Sequence, residues 1–587
     1  MIAAASKAVR KRKERLLGRP FWRLASHFGM RLFSGTGDSG EGGLGLSVSA
    51  ILAMLAAPGA FISILLFDKY SSLLRFLRGN QNFDPYAASL PDQYFFLTFS
   101  MVITGIVTVL KWDSIFPDRR DYMNLAPLPI ATRRIFLANM TAIVLIALAF
   151  AVDVNAVSSF LFPLEVTMEQ PRFIFYVQFA SAHFLGVMLS SLFIFLALFA
   201  LIGTLMVLLP DSAFRRISLY LRILIVMLLL GLLSSTFAVP QLLHKPGSDP
   251  HSILLWLPPV WFLGLLRSVL GKADIALAQF GRLGWQAMAC VGLLAPAVYI
   301  ASYYRYFIRI PETLDTTLRN HAPRALLPMA WMDQLILRSS FERAIYRFTI
   351  KTLLRSERHS LLFGAFAGLG LVLAFEMLAS AYSAGPALNE LPSAALLSVP
   401  FVLAYFLISG LRFVFDIPAE LHANWVHQAI LHPEQIDPAT LARKVILTFV
   451  LPWALLLCLP LAVWRWGWTI GAGHVAVFLA ACGLLAQLLL RRFHKIPFAC
   501  TYPPWKQSAT VMILFYVLGF WAFAFLLPGL ERSLLLRTPL FLWVLSVLLL
   551  LAGVALRRLQ KVDFVEPSLI FEEKSPAPFE ILNLSGR

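Results

Sequence analysis

Long apolar runs separated by short polar stretches dominate the chain. A helix needs about 20 consecutive apolar residues to cross a hydrocarbon core of about 30 Å. In lipid its backbone groups must bond within the segment itself. Runs at 44–67, 93–111, 135–153, 177–209, 218–239 and 283–304 meet that requirement, and a second series follows at 361–383, 393–415, 444–464, 470–490, 509–527 and 538–556. The pattern predicts an all-α polytopic membrane protein of about 12 transmembrane helices in two six-helix halves. Its expected divisions are a cytoplasmic amphipathic segment 1–43, a first half 44–304, a cytoplasmic linker with an amphipathic helix 305–360, a second half 361–556 and a cytoplasmic tail 557–587. The run 177–209 is long for one crossing and implies tilt or an extension past the membrane.

Two shorter segments carry a helical period without being apolar throughout. After Pro20, which suits a first helical position, Phe21, Leu24, Phe28 and Leu32 form one stripe and Arg23, His27 and Arg31 another. Before the second half, Phe341, Ile345 and Phe348 share a face, with Arg343, Arg347, Lys351 and Arg355 along a different one. Both read as amphipathic helices with a cationic face toward anionic headgroups. The stretch 240–282 is apolar but broken by Pro258-Pro259, and reads either as a broken helix dipping into the outer leaflet or as a loop capping the bundle.

Composition agrees with this pattern. Of 587 residues, 59% are hydrophobic and 14% charged, against about 45–50% and about 25% in soluble domains; a soluble enzyme or a disordered chain is excluded. The net charge of +18 sharpens the topology. With the N-terminus placed inside, 39 of the 50 Lys and Arg residues fall in inward segments, so both termini are expected in the cytoplasm. These cations are spread over seven segments rather than gathered on one basic face, so no nucleic-acid partner is expected. The first 43 residues are too polar for a cleaved secretory signal, although the basic stretch Lys7–Arg31 leaves a mitochondrial targeting reading open.

Familiar catalytic chemistry is missing. Gly271-Lys272 is followed by Ala273, so no phosphate-cradling P-loop is present, and no HExxH occurs. His422, His427 and His432, spaced by five, rotate apart on a helix. The four cysteines form no CxxC pair. No catalytic, cofactor or metal site is therefore assigned, and the chain is not expected to be an enzyme. Ionisable residues at membrane depth are costly and often functional; Glu376 and His183 are the candidates, with Ser380 a hydrogen-bond partner for Glu376. Asp153 is expected to end the third span and reach water.

The first inward loop is dense in charge: Trp112-Asp113, then Pro117-Asp118-Arg119-Arg120-Asp121, then Leu125-Ala126-Pro127-Leu128-Pro129-Ile130, and Arg133-Arg134 leading into the third span. It reads as a short helix ended by prolines, which fix its angle to the bundle. This stretch resembles the coupling helix of ABC-2 type permeases, the membrane subunits of one class of ABC exporter. Leu125, Pro129-Ile130, Arg133-Arg134 and Ile135-Phe136-Leu137 follow the order of that family's pattern, while Asp121-Tyr122 and Ala138-Asn139 stand where Gly-Thr and Gly-Lys are common. The layout is also similar: an amphipathic helix before the first span, six spans, and an outer excursion between the fifth and sixth. In the second half the loop Phe415–Lys444 has the right placement but lacks the Leu-x-x-x-Pro-Val step.

The resemblance implies an exporter permease with two fused halves, moving a lipid-like or amphipathic substrate outward across a bacterial inner membrane. Energy would come from ATP through a separate soluble ABC ATPase, expected as a dimer, with membrane lipids as the other partner. Asp118, Arg119, Arg120, Asp121, Pro127, Pro129, Arg133 and Arg134, with Glu420, Asn424 and Trp425, would couple to that ATPase. Twelve spans in two halves also suit a secondary, ion-coupled transporter, and Pro117-Asp118-Arg119-Arg120 is similar to the Asp-Arg loop of major-facilitator proteins without its flanking glycines. A membrane-embedded transferase would need acids on its outward loops, where Asp84 and Asp92 are the main examples. A binding or scaffold role is a further alternative.

Overall fold

A computed structural model describes residues 19–33, 48–71, 83–115, 127, 130–168, 170, 172–243, 254–271, 275–309, 340–383, 392–419, 438–491, 493, 495–499 and 509–562. The described chain is almost entirely helical, with no strand among these residues. Ten of its helical stretches are long and apolar enough to cross a membrane, as the run lengths dictate. The protein is accordingly a membrane protein. It divides into two units, 1–319 and 320–587, the boundary falling within the polar stretch 305–360.

The first unit contains α1 (Arg19–Phe33), α2 (Val48–Tyr70), α3 (Leu90–Leu110), α4 (Thr132–Val166), α5 (Phe173–Leu208), α6 (Asp211–Leu243), α7 (Pro258–Val269) and α8 (Ile275–Arg309). The amphipathic α1 forms as its period predicts. Phe21, Ala25 and Phe28 are buried on Ile135, Ala138 and Ala142 of α4, while Arg23 and His27 stay exposed. Its apolar stripe is therefore packed against the protein.

One expectation for this unit changes. Asp153 does not end a helix: α4 runs on for a further 13 residues to Val166. No further charge follows until Glu165, so a single acid does not stop the helix. Within 240–282 the chain forms a helix packed into the unit. In α7, Val260, Phe262, Leu263 and Leu266 are fully buried. Small residues permit this. A Cβ on Gly264 would lie 2.2 Å from the Leu277 carbonyl oxygen and 2.6 Å from the Gly281 nitrogen of α8. Only glycine lets two helix backbones approach so closely.

The second unit contains α9 (Ser340–Arg355), α10 (Glu357–Ser383), α11 (Ala394–Val414), α12 (Pro438–Trp453), α13 (Leu459–Leu489), α14 (Ala509–Trp521), α15 (Leu527–Leu535) and α16 (Leu540–Val562). Single π-helical turns, Ala454–Cys458 and Ala522–Leu526, join α12 to α13 and α14 to α15. The stretch Pro438–Leu489 has 52 residues, which as one straight helix would be about 78 Å long. It instead folds back at Gly467 (φ 79°), a left-handed conformation that glycine adopts without steric cost. A Cβ on Gly471 would lie 2.6 Å from the Val463 nitrogen, and the Trp453 and Phe478 rings lie 5.4 Å apart. Both contacts require an antiparallel hairpin.

The units repeat a set of packings. In each, the amphipathic helix lies on the third helix (α1 on α4, α9 on α12) and the second helix packs on the fourth (α3 on α5, α11 on α13). The second also meets the fifth (α3 with α6, α11 with α15), and the fourth meets the sixth (α5 with α8, α13 with α16). They differ at the first helix: α2 packs on α4, whereas α10 packs on α11.

Candidate functional site

Three helices of the first unit turn polar stripes toward one another. On α3 the stripe is Gln93, Ser100, Thr104 and Thr108; on α4 it is Glu165, Ser159, Ser158 and Asn155; on α5 it is His183, Ser190 and Ser191. All are buried. The spacings of three, four and seven residues put each stripe on one helix face. Halfway along α3 and α5, the Ser191 hydroxyl bonds Ser100 and accepts from Thr104 (3.2 Å) and from the Asn155 amide (3.2 Å). The midpoint of α2 reaches the same level, since Gly59 approaches the Val154 carbonyl and Ser158. Asp153, half-buried, lies within a turn of this layer.

Toward the Tyr70 end of the unit the stripes lead into a charged cluster. Lys69 pairs with Asp92 at 2.6 Å and donates to the Ala88 carbonyl at 2.9 Å. The Tyr70 hydroxyl also donates to Asp92. From α7, the buried Arg267 donates to the Tyr86 carbonyl (2.9 Å) and to the Ser89 hydroxyl (3.2 Å). Between cluster and midpoint layer sits His183, fully buried, with the Phe96 and Phe162 rings 5.5 and 5.1 Å from its own. Neither His183 nitrogen, neither end of the Gln93 amide, nor Glu165 Oε2 nor Ser159 Oγ has a hydrogen-bond partner among the described residues.

The second unit buries an ionisable pair of its own. His474 Nδ1 lies 2.7 Å from Glu531 Oε1, both almost fully enclosed, with Phe401 and Trp466 rings against the imidazole. At its opposite end, Asp416 is held by Arg412 and Lys495, each at 2.6 Å. Two backbone bonds, Phe498 N–H to Phe415 O (3.2 Å) and Ala419 N–H to Phe498 O (2.9 Å), fix the start of the loop that follows. The loop after α3 in the first unit also starts from a fixed point, where Trp112 is buried and stacks under the Arg222 guanidinium at 5.5 Å.

Of the residues singled out by sequence, Asp118, Arg119, Arg120, Asp121, Pro129, Glu420, Asn424 and Trp425 lie outside the described residues. The spaced histidines 422, 427 and 432 do too. Pro127 is exposed in a turn, Arg133 is exposed and Arg134 half-buried, both in the first turn of α4. Glu376 is half-buried on α10, and the side chain of its expected partner Ser380 lies outside the description. His183 alone of these joins the polar cluster. Sequence reasoning missed Lys69, Tyr70, Gln93, Glu165 and Arg267, and the His474–Glu531 pair. The seven-residue spacing of Gln93 and Ser100, and the helical spacing of Asn155, Ser158 and Glu165, were the available signals. No group of three or more His, Cys, Asp or Glu suited to a metal occurs among the described residues. Comparison with known proteins found no matching family model, no similar curated protein and no similar solved structure.

Proposed function

We propose that the chain is the membrane permease of an ABC-type exporter, working with a separate soluble ATPase in a bacterial inner membrane and moving a lipid-like or amphipathic substrate outward. The observation that carries this reading is the repeated base of the two units. Each seats an amphipathic helix on its third helix, α9 through the Glu342–Lys444 ion pair at 2.8 Å. Each also starts its charged loop from a fixed point, Trp112 in one and Asp416 in the other. Such loops transmit force from a docked partner because their roots do not yield. Counting α2 and both arms of the Gly467 hairpin gives the twelve spans of this reading, with both termini cytoplasmic.

The test is purification in mild detergent followed by transport in inverted vesicles. Expected are a co-purifying ATP-hydrolysing subunit and ATP-dependent movement of a fluorescent phospholipid analogue, lost in the Arg119→Glu/Arg120→Glu variant. Absence of any ATPase, together with transport unchanged by that charge reversal, overturns the proposal. A second reading, an ion-coupled secondary transporter, draws on the half-buried Asp92 and the buried Glu165 and His183 of the first unit, since ionisable groups inside such bundles commonly mark ion pathways. Transport that persists without ATP and collapses with the proton gradient selects it.

A further inference from the structure

We infer that the interior of the first unit is a blind, water-accessible polar path, open at the Lys69–Asp92 end and closed at the middle of the bundle. Its occupants are water and small hydrogen-bonding solutes. This holds whichever energy source drives the protein.

Three observations carry it. First, Gln93, Ser159, Glu165 and His183 are all more than nine-tenths buried, and together hold six polar atoms without a partner among the described residues. A buried polar group without a hydrogen bond costs roughly 1–3 kcal/mol. Six such atoms gathered between three helices are tolerated when water reaches them, each molecule bridging two to four polar partners. Second, the polar stripes run along matching faces of the three helices, with the Phe96 and Phe162 rings between their two levels. From Gln93 to Ser100, and from His183 to Ser191, they descend roughly 10–12 Å at the helical rise. Exposure also falls in order along the entry: the Lys69 side chain is 36% accessible, Asp92 13%, and His183 fully enclosed. Third, the path ends. Beyond Ser191, α5 buries Phe199, Ile202 and Met206, α3 buries Val109, and α8 contributes the buried Tyr299. The Phe199 and Tyr299 rings lie 5.4 Å apart, and Phe136 stacks on Tyr299 at 4.8 Å. The polar groups at this level are already bonded, Asn139 to the Tyr299 hydroxyl at 2.8 Å and Thr108 to the Thr104 carbonyl at 2.7 Å.

The path differs from a structural polar seam in one measurable respect, since a seam bonded only within itself stays dry. Full-length protein with its four cysteines replaced by serine is reconstituted in sealed liposomes, and single cysteines are placed at Ser158, Ser190 and lipid-facing Leu148. A membrane-impermeant methanethiosulfonate is then added from either side. Because the thiolate forms only where water reaches it, cysteines at 158 and 190 should react on the order of tenfold faster than at 148, from one side alone. Equal rates at all three positions overturn the path. Should those variants not fold, hydroxyl-radical footprinting of the unmodified protein compares Phe162 with Phe478, both fully buried. Oxidation of Phe162 well above Phe478 is expected, and equal protection of the two refutes the inference.

Discussion

The two units share a packing scheme and differ in what they enclose. In the first, the second and fourth helices meet through Ser100, Thr104 and Ser191. In the second unit, the equivalent helices meet through Phe401, His474 and Phe478, with the rings of Phe401 and Phe478 5.3 Å apart. Serines buried on α11 satisfy themselves locally: Ser398 donates to Ala394 O and Ser409 to Tyr405 O. On α3 and α5, Ser100 and Ser191 bond across helices, while Ser190 donates to Val187 O. Helix pairing in this protein thus depends on small residues and apolar faces, and it tolerates opposite interior chemistries. The first unit combines that pairing with an accessible polar interior, while the second uses it to build an aromatic core around the His474–Glu531 pair.

Four substitutions press on this contrast. The largest effect is expected at Gly264→Leu, where the added side chain meets the α8 backbone and cannot be relieved by a rotamer change. Destabilisation of about 3 kcal/mol or more should appear as loss of the folded protein in detergent melting curves. Glu531→Leu removes one member of the buried His474–Glu531 pair and should cost about 3 kcal/mol, whereas the double variant His474→Leu/Glu531→Leu should recover most of it. Failure of the double variant to recover would show that the second unit also needs a polar interior. Asp92→Asn removes the charge shared by Lys69 and Tyr70, and a loss of about 2 kcal/mol is expected for charge-assisted bonds. Gln93→Leu has the smallest effect and the opposite sign. Replacing an enclosed amide by an apolar side chain of similar size should raise stability by about 1 kcal/mol, and it should slow cysteine labelling at Ser190→Cys. Stabilisation without slower labelling would separate the amide from the path.

Much of the fold was legible in the sequence because helices are specified locally. Run length marked the long helices, and spacings of three and four placed Phe21 and Phe28 on the buried face of α1, and Ile345 on that of α9. Where local signals competed, legibility failed. Asp153 looked like a terminus because one acid outweighed the apolar residues after it, yet the helix continues to Val166. By contrast, the reversal within Pro438–Leu489 was legible, since Gly467 falls in the gap between the runs 444–464 and 470–490. His183 stood out as an ionisable residue in an apolar run, whereas Gln93 and Glu165 did not, since neither is unusual until its surroundings are known.

By itself, the sequence determined that this is a helical membrane protein, which segments are helical, and which face of each amphipathic helix is apolar. These follow from residue-by-residue transfer to lipid and from the 3.6-residue period, both properties of short stretches. Only the tertiary structure decided that Ser100 meets Ser191, that Arg267 reaches back to Ser89, and that His474 finds Glu531. Partners tens to hundreds of residues apart are brought together by helix packing. The cost of burying a polar group depends on that final partner, which no local pattern encodes.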